Sequence, residues 1–312
     1  MRTLVTGANG FAGSHLLDVL GHGPELIAWY RPGTALPPGT RIQWQSVELT
    51  DAAAVARALR EAEPDRIYHL AGAPSVESSW RNAVPHLQTN ALGTHHLLEG
   101  VRLSGRATRV LVISSAQVYQ ASDDPIGEDT PLVPTSPYGF TKLGQDQLAA
   151  RAHRDDGIDA LVARPFNHIG PRQTPEFAVS SFARQIARIE AGLAPPELRV
   201  GNLEARRDFT DVRDVAAAYV ALMNRGRSGG VYNVCSGRAF RMRDLLESLR
   251  SLASVEVHIE TDPAKLRPSD MPVLQGDASR LARDLGWAPV IPIEQTLEDT
   301  LDWWREDVRS TA

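Results

Sequence analysis

Short apolar runs alternate with longer amphipathic segments through the first half of the chain. The apolar runs predict five strands, at residues 4–6, 26–30, 66–70, 110–113 and 160–163. The segments between them predict helices, at residues 11–21, about 51–61, about 85–103 and from 137 onward. The polar stretch after residue 30, which contains several Gly and Pro residues, predicts a loop. Strands separated by helices favour parallel pairing with right-handed crossovers, and hence a doubly wound α/β sheet.

The regular alternation ends after Arg164-Pro165. Helices are predicted beyond it at residues 179–191, 212–223, 242–252 and 294–305, mixed with short strands and proline-bearing loops. We interpret residues 1–165 as the main domain and residues 166–312 as a smaller α/β lobe beside it. Segments near 207–234 are expected to return to the main domain.

The composition is that of an ordinary globular protein, with 42% hydrophobic and 23% charged residues. A formal net charge of −5 provides no basic surface for nucleic acid or for an acidic membrane. The single cysteine, Cys235, excludes an intramolecular disulfide and a thiolate metal cluster, and no metal site is predicted. No apolar run approaches the ~20 residues that span a bilayer. With no signal-peptide pattern at the N-terminus, we expect a cytoplasmic protein.

Three glycines, Gly7, Gly10 and Gly13, lie between the first strand and the first helix. Such a loop needs one residue for a tight turn, one without a Cβ where a pyrophosphate approaches, and one for close helix–strand packing. The helix that follows directs free N–H groups at a phosphate. The GxxGxxG spacing therefore predicts a dinucleotide site on a Rossmann-type fold. A purely structural turn is the alternative.

The end of the second strand bears on the choice of dinucleotide. A carboxylate there binds the ribose 2′-hydroxyl of NAD, whereas an arginine favours the 2′-phosphate of NADP. The chain has Arg31 and no carboxylate at this point, and it has Glu48 after the next segment. We therefore predict NADP(H), with NAD(H) as the alternative cofactor. A solvated surface role for Arg31 is the other interpretation.

Tyr138 and Lys142 are four residues apart at the start of a predicted helix, so both side chains lie on one face. A carbonyl reductase needs a proton donor, and a phenol with a pKa of about 10 becomes a better donor beside a cation. Chance is a weak explanation for the pair, because Lys142 is one of only two lysines, the other being Lys265. Ser115 follows the fourth strand, where its hydroxyl would face the same crevice.

These motifs resemble the extended short-chain dehydrogenase/reductase family, also described as NAD-dependent epimerases and dehydratases. The matching segments are TGANGFAGSHL, HLAG at residues 69–72, TNALGTHHLLE around Asn90, SSAQVY, and YGFTK at residues 138–142. The resemblance implies catalytic roles for Ser115, Tyr138 and Lys142. It also implies a homodimer that forms a four-helix bundle from helices near 85–103 and 137–154. The further cofactor contacts that it implies are Phe11, Leu70, Ala71, Asn90, Ser114 and Pro165.

Segments of the second half resemble the GDP-mannose branch of that family. They are RPFNHIGP at 164–171, VGNLEARRD at 200–208 and RPSD at 267–270. The resemblance implies a GDP-sugar substrate. A solvated surface charge is the alternative for any single arginine. The substrate contacts that it implies are Ser75, Gln117, Asn167, Gly201, Asn202, Arg207, Arg267 and Asp270.

The residue two positions after Ser115 distinguishes the reactions of the family. Dehydratases carry a carboxylate there that takes and returns a proton, whereas this chain has Gln117, whose amide cannot do so. Dehydration is therefore not expected, and the resemblance to the GDP-mannose branch implies a reductase that converts the C4 keto group of GDP-4-keto-6-deoxymannose and yields GDP-rhamnose. A nucleotide-sugar 4-epimerase with tightly held NAD is the main alternative. A GDP-mannose dehydratase and a non-catalytic NADP sensor are the remaining ones.

Overall fold

The computed structural model describes residues 1–21, 23, 25–36, 42–265 and 272–311. Thirteen strands occur among these residues, and we number them in chain order. They are β1 (Thr3–Thr6), β2 (Leu26–Tyr30), β3 (Gln43–Ser46), β4 (Arg66–His69), β5 (Arg109–Ile113), β6 (Asp159–Pro165), β7 (Asn167–Ile169), β8 (Glu197–Val200), β9 (Arg206–Asp211), β10 (Val231–Val234), β11 (Ala239–Arg241), β12 (His258–Thr261) and β13 (Val273–Leu274).

The same part of the chain contains eleven α-helices. They are α1 (Phe11–Leu20), α2 (Ala52–Ala62), α3 (Val76–Arg81), α4 (Ala83–His86), α5 (Gly93–Ser104), α6 (Pro137–Asp156), α7 (Ala178–Glu190), α8 (Val212–Arg225), α9 (Met242–Ser251), α10 (Ser279–Leu285) and α11 (Ile293–Thr311).

The main sheet has seven strands in the order β10-β6-β5-β4-β1-β2-β3. Every neighbouring pair in it is parallel. The predicted doubly wound α/β fold is therefore confirmed. Because the strands are parallel, their carboxyl ends meet at one edge, and ligands bind at that edge in folds of this kind.

Apolar side chains cover both faces of this sheet. One buried cluster joins β1 and β5 to α1 and α8, with Val5, Leu16 and Tyr219 at its centre. The other joins the opposite face to α2, α5 and α6. A third cluster packs α7, α9 and α11 together in the C-terminal half. Burial of each large aliphatic side chain contributes roughly 1.5–3 kcal/mol, so these layers hold the strand ends in place.

The C-terminal half contains small sheets of its own. In one of them β9 pairs with β7, β11 and β13, and in another β8 pairs with β12. β10 instead joins the main sheet beside β6. The division into lobes at residue 165 stays a prediction.

One local prediction was wrong, and another is refined. The stretch after residue 30 was predicted as loop, but it contains β3, whose residues Gln43, Trp44, Gln45 and Ser46 are mostly polar. β3 is an edge strand, and polar side chains on it leave no apolar alternation in the sequence. The helix predicted over about 85–103 is α4 and α5 joined by a π-helical turn at Leu87–Leu92. Within the described residues, no helix combines the length and apolar character that crossing a bilayer requires.

Candidate active site

The glycine-rich loop connects β1 to α1. Gly7 has φ of +67°, a conformation that side chains rarely adopt, and a Cβ on it would lie 2.7 Å from the Ala71 backbone. A Cβ on Gly13 would collide with the Gly7 carbonyl oxygen. Gly10 caps α1 without a side-chain hydrogen bond, which leaves the first N–H groups of the helix for a ligand. This cradle fits the pyrophosphate of a dinucleotide.

The end of β2 lies against this loop. The Thr34 hydroxyl donates to the Arg31 carbonyl oxygen at 2.7 Å and accepts from the Asn9 side chain at 3.0 Å. Arg31 itself is exposed. Its position beyond β2 is the one at which a guanidinium would meet a ribose 2′-phosphate. Asn9 and Thr34 were not singled out from the sequence.

The end of β4 contributes Leu70 and Ala71, both partly exposed. Their N–H groups donate to the oxygen atoms of Thr6 at the end of β1. Asn90 is buried, and its side chain accepts from Ala73 N at 2.7 Å and donates to Thr141 Oγ1 at 2.8 Å. Asn90 thus links the loop after β4 to helix α6. Its contact with a cofactor stays a prediction.

Ser115 and Tyr138 lie together at the carboxyl end of β5. The Ser115 side chain hydrogen-bonds to the Tyr138 hydroxyl, and the tyrosine is only partly exposed. Burial raises the pKa of Tyr138 to about 12, and the Ser115 hydrogen bond acts in the opposite direction. The pKa of the phenol is thus raised and not lowered as the Tyr138–Lys142 spacing suggests, because burial outweighs the Ser115 hydrogen bond. The phenol carries its proton throughout the neutral range.

Gly139 explains how this contact forms. Helix α6 begins at the Ser136 cap, whose hydroxyl accepts from Gly139 N at 3.0 Å. A Cβ on Gly139 would lie 2.5 Å from the Gln117 carbonyl oxygen. The missing side chain lets the first turn of α6 pack directly on the 3-10 turn after Ser115. Tyr138 is fixed on the other side by a hydrogen bond from its N to Ser79 Oγ at 3.1 Å.

Lys142 lies one helical turn beyond Tyr138 and is 6% exposed. Its ammonium donates to the Ile113 carbonyl oxygen at 2.6 Å and to the Gln145 side-chain oxygen. Burial lowers the pKa of Lys142 to about 7, and the nearby Asp146 carboxylate raises it in part. A buried lysine with a pKa near neutrality is typical of a functional site.

A buried ion pair lies next to Lys142, between helix α6 and strand β6. Arg164 of β6 donates to both oxygens of Asp146 at 2.8 and 3.1 Å, and the two side chains are 5% and 3% exposed. Ser114 donates to Asp146 at 2.9 Å, so its hydroxyl points at α6. Arg164 also donates to the Tyr119 hydroxyl at 2.9 Å. We call Ser114, Tyr119, Lys142, Asp146 and Arg164 the buried network.

The predicted substrate residues Asn167 and Arg207 lie on the paired strands β7 and β9. Asn167 donates from its side chain to the Asp208 carbonyl oxygen at 3.2 Å. Arg207 is partly exposed and donates to the Arg206 carbonyl oxygen at 2.8 Å. Between them, the buried Asp208 carboxylate accepts from Ser236, Gly237 and Gly276, which joins the surrounding loops. The pKa of Asp208 is raised, because the effect of burial exceeds the opposite effect of these hydrogen bonds.

The remaining predicted residues have varied settings. Ser75 caps helix α3 through Ser78 N, and Gln117 N donates to Ser115 Oγ at 3.2 Å. Asn202 is exposed and accepts from Glu204 N, and Gly201 precedes it. Pro165 is buried at the end of β6. Arg267 and Asp270 lie outside the described residues.

Phe11 connects the two halves of the site. As the first residue of α1 it stacks on His168 of β7, with ring centroids 5.7 Å apart and planes 5° apart. The glycine-rich loop and the Asn167 segment are therefore in contact. This pairing had no signal in the sequence, because the two residues are far apart in the chain.

Comparisons with known proteins agree with this architecture. A family model described as GDP-mannose 4,6 dehydratase matches residues 4–300. The GDP-6-deoxy-D-mannose reductase of Pseudomonas aeruginosa is 39% identical over 311 residues, which cover 99% of this chain and 98% of that protein.

Solved structures give the same result. The structure of RMD from Pseudomonas aeruginosa complexed with NADPH has a TM-score of 0.86 and 36% identity, and the match covers 98% of this chain and 100% of that one. UDP-glucose 4-epimerase from Thermotoga maritima with UDP-glucose has a TM-score of 0.89 and 26% identity, covering 99% and 100% of the two chains. The membership predicted from the motifs is confirmed: the chain belongs to the GDP-mannose 4,6 dehydratase family.

Proposed function

We propose that the protein is an NADPH-dependent reductase of the C4 keto group of GDP-4-keto-6-deoxymannose, with GDP-rhamnose as the product. The observation that carries the proposal is the Tyr138 hydroxyl, which is hydrogen-bonded to Ser115. Lys142 follows Tyr138 by one helical turn on α6. The 39% identity to a GDP-6-deoxy-D-mannose reductase supports the substrate and the reaction.

The glycine-rich loop would hold a reduced dinucleotide, whose nicotinamide would supply a hydride to the carbonyl carbon. Tyr138 gives its proton to the carbonyl oxygen, and Ser115 orients that oxygen by a second hydrogen bond. Lys142 holds a positive charge beside the phenol and binds the nicotinamide ribose. The positive charge favours the phenolate that forms as the proton leaves.

The cofactor preference rests on Arg31. Its exposed guanidinium is able to pair with a 2′-phosphate, and the Asn9–Thr34–Arg31 contacts hold the backbone of that loop beside the glycines. The similar structure from Pseudomonas aeruginosa, which is complexed with NADPH, supports the same choice. NAD(H) remains the alternative cofactor, since other similar structures hold NAD.

The substrate diphosphate is assigned to the side of the crevice that Asn167 and Arg207 line. An arginine fork matches phosphate oxygens, and an amide bridges to a ribose or phosphate oxygen. Gly201 and Asn202 are proposed as further walls of this pocket. We also propose a homodimer through α5 and α6, and a cytoplasmic location.

Dehydration is not proposed, because Gln117 occupies the position of the acid/base carboxylate. A 4-epimerase is the second candidate, favoured by the fold similarity to UDP-glucose 4-epimerase. The two differ in stoichiometry. A reductase consumes one reduced cofactor for each product, whereas an epimerase regenerates its cofactor in every cycle.

The test is to incubate the purified protein with GDP-4-keto-6-deoxymannose and either NADPH or NADH, and to identify the product sugar by NMR. We expect substrate-dependent oxidation of NADPH, slower oxidation of NADH, and GDP-rhamnose. Conversion of a GDP-hexose to its C4 epimer without added cofactor would contradict the proposal.

A further inference from the structure

The Lys142 ammonium is held by two acceptors that meet it from different directions. One is the carbonyl oxygen of Ile113, at the carboxyl end of β5, and the other is Gln145 Oε1, one turn further along α6. Gln145 is completely buried. Two of the three ammonium protons are thus engaged by the protein, and the position of the nitrogen is fixed.

The orientation of the Gln145 amide follows from its second contact. Its Nε2 donates to Thr94 Oγ1 at 2.6 Å. The Thr94 hydroxyl donates its single proton to the Asn90 carbonyl oxygen, also at 2.6 Å. Thr94 can therefore only accept a hydrogen bond from Gln145. A flipped amide would set oxygen against oxygen at Thr94 and NH₂ against the ammonium at Lys142. The amide oxygen therefore faces the lysine.

His69 completes the chain of hydrogen bonds. Its Nε2 lies 2.8 Å from Thr94 Oγ1 and its Nδ1 lies 2.8 Å from Thr6 Oγ1. Since Thr94 has no proton left, His69 Nε2 carries the proton and Nδ1 accepts from Thr6. Burial and the charge of Lys142 lower the pKa of His69 to about 3, so the ring is neutral. Thr6 in turn accepts from Ala71 N at 3.2 Å.

The charges around Lys142 determine the effect of these hydrogen bonds on its ammonium. Asp146 on the same helix raises the Lys142 pKa in part, although its carboxylate is shared with Arg164. His69 is neutral, and Tyr138 carries its proton. Burial disfavours the ammonium, and the Gln145 oxygen is a neutral acceptor that favours it. We propose that Gln145, oriented by Thr94 and His69, is a positioning residue that keeps the buried Lys142 charged and fixed at the end of β5. The catalytic consequence rests on the proposed function, in which Lys142 acts on Tyr138.

The pKa of Lys142 can be measured directly, because the protein contains only two lysines, Lys142 and Lys265. Protein labelled with ¹³C at lysine Cε should give two NMR signals, and Lys265→Arg assigns them. The pKa of Lys142 is then measured without substrate or cofactor. We expect Gln145→Leu to lower it by about one to two units, since a hydrogen bond to a charged group contributes roughly 1.5–3 kcal/mol and one unit is about 1.4 kcal/mol.

Thr94→Val tests the orientation without touching Lys142, and it keeps the proposal testable if Gln145→Leu does not fold. We expect a smaller decrease in the same direction. Thr300→Val is the matched control, because Thr300 is also a buried helical threonine whose hydroxyl donates at 2.6 Å to the carbonyl oxygen four residues earlier. It should lose similar stability and leave the Lys142 pKa unchanged.

An unchanged Lys142 pKa in both Gln145→Leu and Thr94→Val, or an equal shift in Thr300→Val, would overturn the inference. Ketoreductase activity distinguishes this failure from failure of the proposed function. If the wild-type protein reduces the keto sugar, the alkaline limb of its rate should move to lower pH in the Gln145 and Thr94 variants. If it does not reduce the sugar, the proposed function fails, and the NMR titration still decides the role of Gln145.

Discussion

The buried network and the arginine-bearing edge of the C-terminal half use the same ionic groups in opposite settings. In the buried network, Arg164 and Asp146 are 5% and 3% exposed and share two hydrogen bonds. At the other edge, Glu204 pairs with Arg241 and Arg243, and these side chains are 43–56% exposed. We call Arg206, Arg207, Arg241, Arg243 and Glu204 the arginine rim.

The difference indicates a division of labour. Charges removed from water must keep their partners, so the buried network fixes the positions of Ser114, Lys142 and the strand ends around them. Exposed ion pairs contribute little and exchange partners easily. The arginine rim is therefore suited to an arriving phosphate, and the buried network to geometry that must not change.

The largest effect is expected at the Tyr138 phenol, one helical turn before Lys142 of the buried network. Tyr138→Phe removes the proton donor and should reduce kcat by roughly 100- to 10,000-fold. NADPH affinity should change little, which fluorescence titration would check. Tyr232→Phe is the control, since its hydroxyl lies on the edge strand β10 and accepts from Arg227 N. Equal rates for wild type and Tyr138→Phe would remove Tyr138 from the reaction.

The next effect compares the two ion pairs directly by urea unfolding. Asp146→Asn leaves the Arg164 charge buried without a carboxylate and should cost about 3–5 kcal/mol of unfolding free energy. Glu204→Gln removes the carboxylate of the arginine rim and should leave the unfolding midpoint unchanged within error. Similar losses in the two variants would mean that burial does not separate these regions.

We expect Lys142 to set the pH dependence of the reaction. Reduction needs the phenol protonated and the lysine charged, and burial lowers the Lys142 pKa to about 7 but raises that of Tyr138 to about 12. As pH rises, the lysine loses its proton first. We therefore expect kcat/KM to be level below neutrality and to fall about tenfold per unit above it.

Lys142→Arg provides the control for this pH profile. Its guanidinium stays protonated, so the neutral limb should disappear even though the rate is lower. A limb at the same pH in both proteins would assign it to another group.

The smallest effect is expected at the arginine rim and concerns binding alone. Arg207→Met should raise the KM for the GDP-sugar by about 10- to 100-fold with little change in kcat, because a charged hydrogen bond contributes roughly 1.5–3 kcal/mol. Arg206→Met is matched to it, since neighbouring residues of β9 point to opposite faces. An equal rise in KM for both variants would indicate a general effect of charge.

The parts of the molecule that follow from local sequence were predictable. The glycine-rich loop and the spacing of Tyr138 and Lys142 are each recognisable from a few neighbouring residues. Five strands of the main sheet followed from apolar runs. The other two are β3, which is a polar edge strand, and β10, which was expected only as part of a segment returning to the main domain. The confirmed family resemblance supplied the fold and the reaction class.

The supports of the site were not predicted, because they depend on contacts between distant segments. Thr94 meets Gln145 across 51 positions, and Thr6 meets His69 across 63. The periodicity of apolar and polar residues reports local structure and does not indicate such long-range pairs. A partial signal existed for Gln145 and Asp146, which follow Lys142 by three and four residues and so share its face of α6.

We infer that Tyr138 and the buried Lys142 serve hydride transfer to C4 of a GDP-4-keto-sugar. The most direct test uses NADPH deuterated at C4 of the nicotinamide, in separate samples labelled on each face, with the product examined by NMR and mass spectrometry. We expect one of the two samples to yield GDP-rhamnose with deuterium at sugar C4 and an equal amount of NADP⁺. A product without deuterium in both samples, or one formed without oxidation of NADPH, would contradict it.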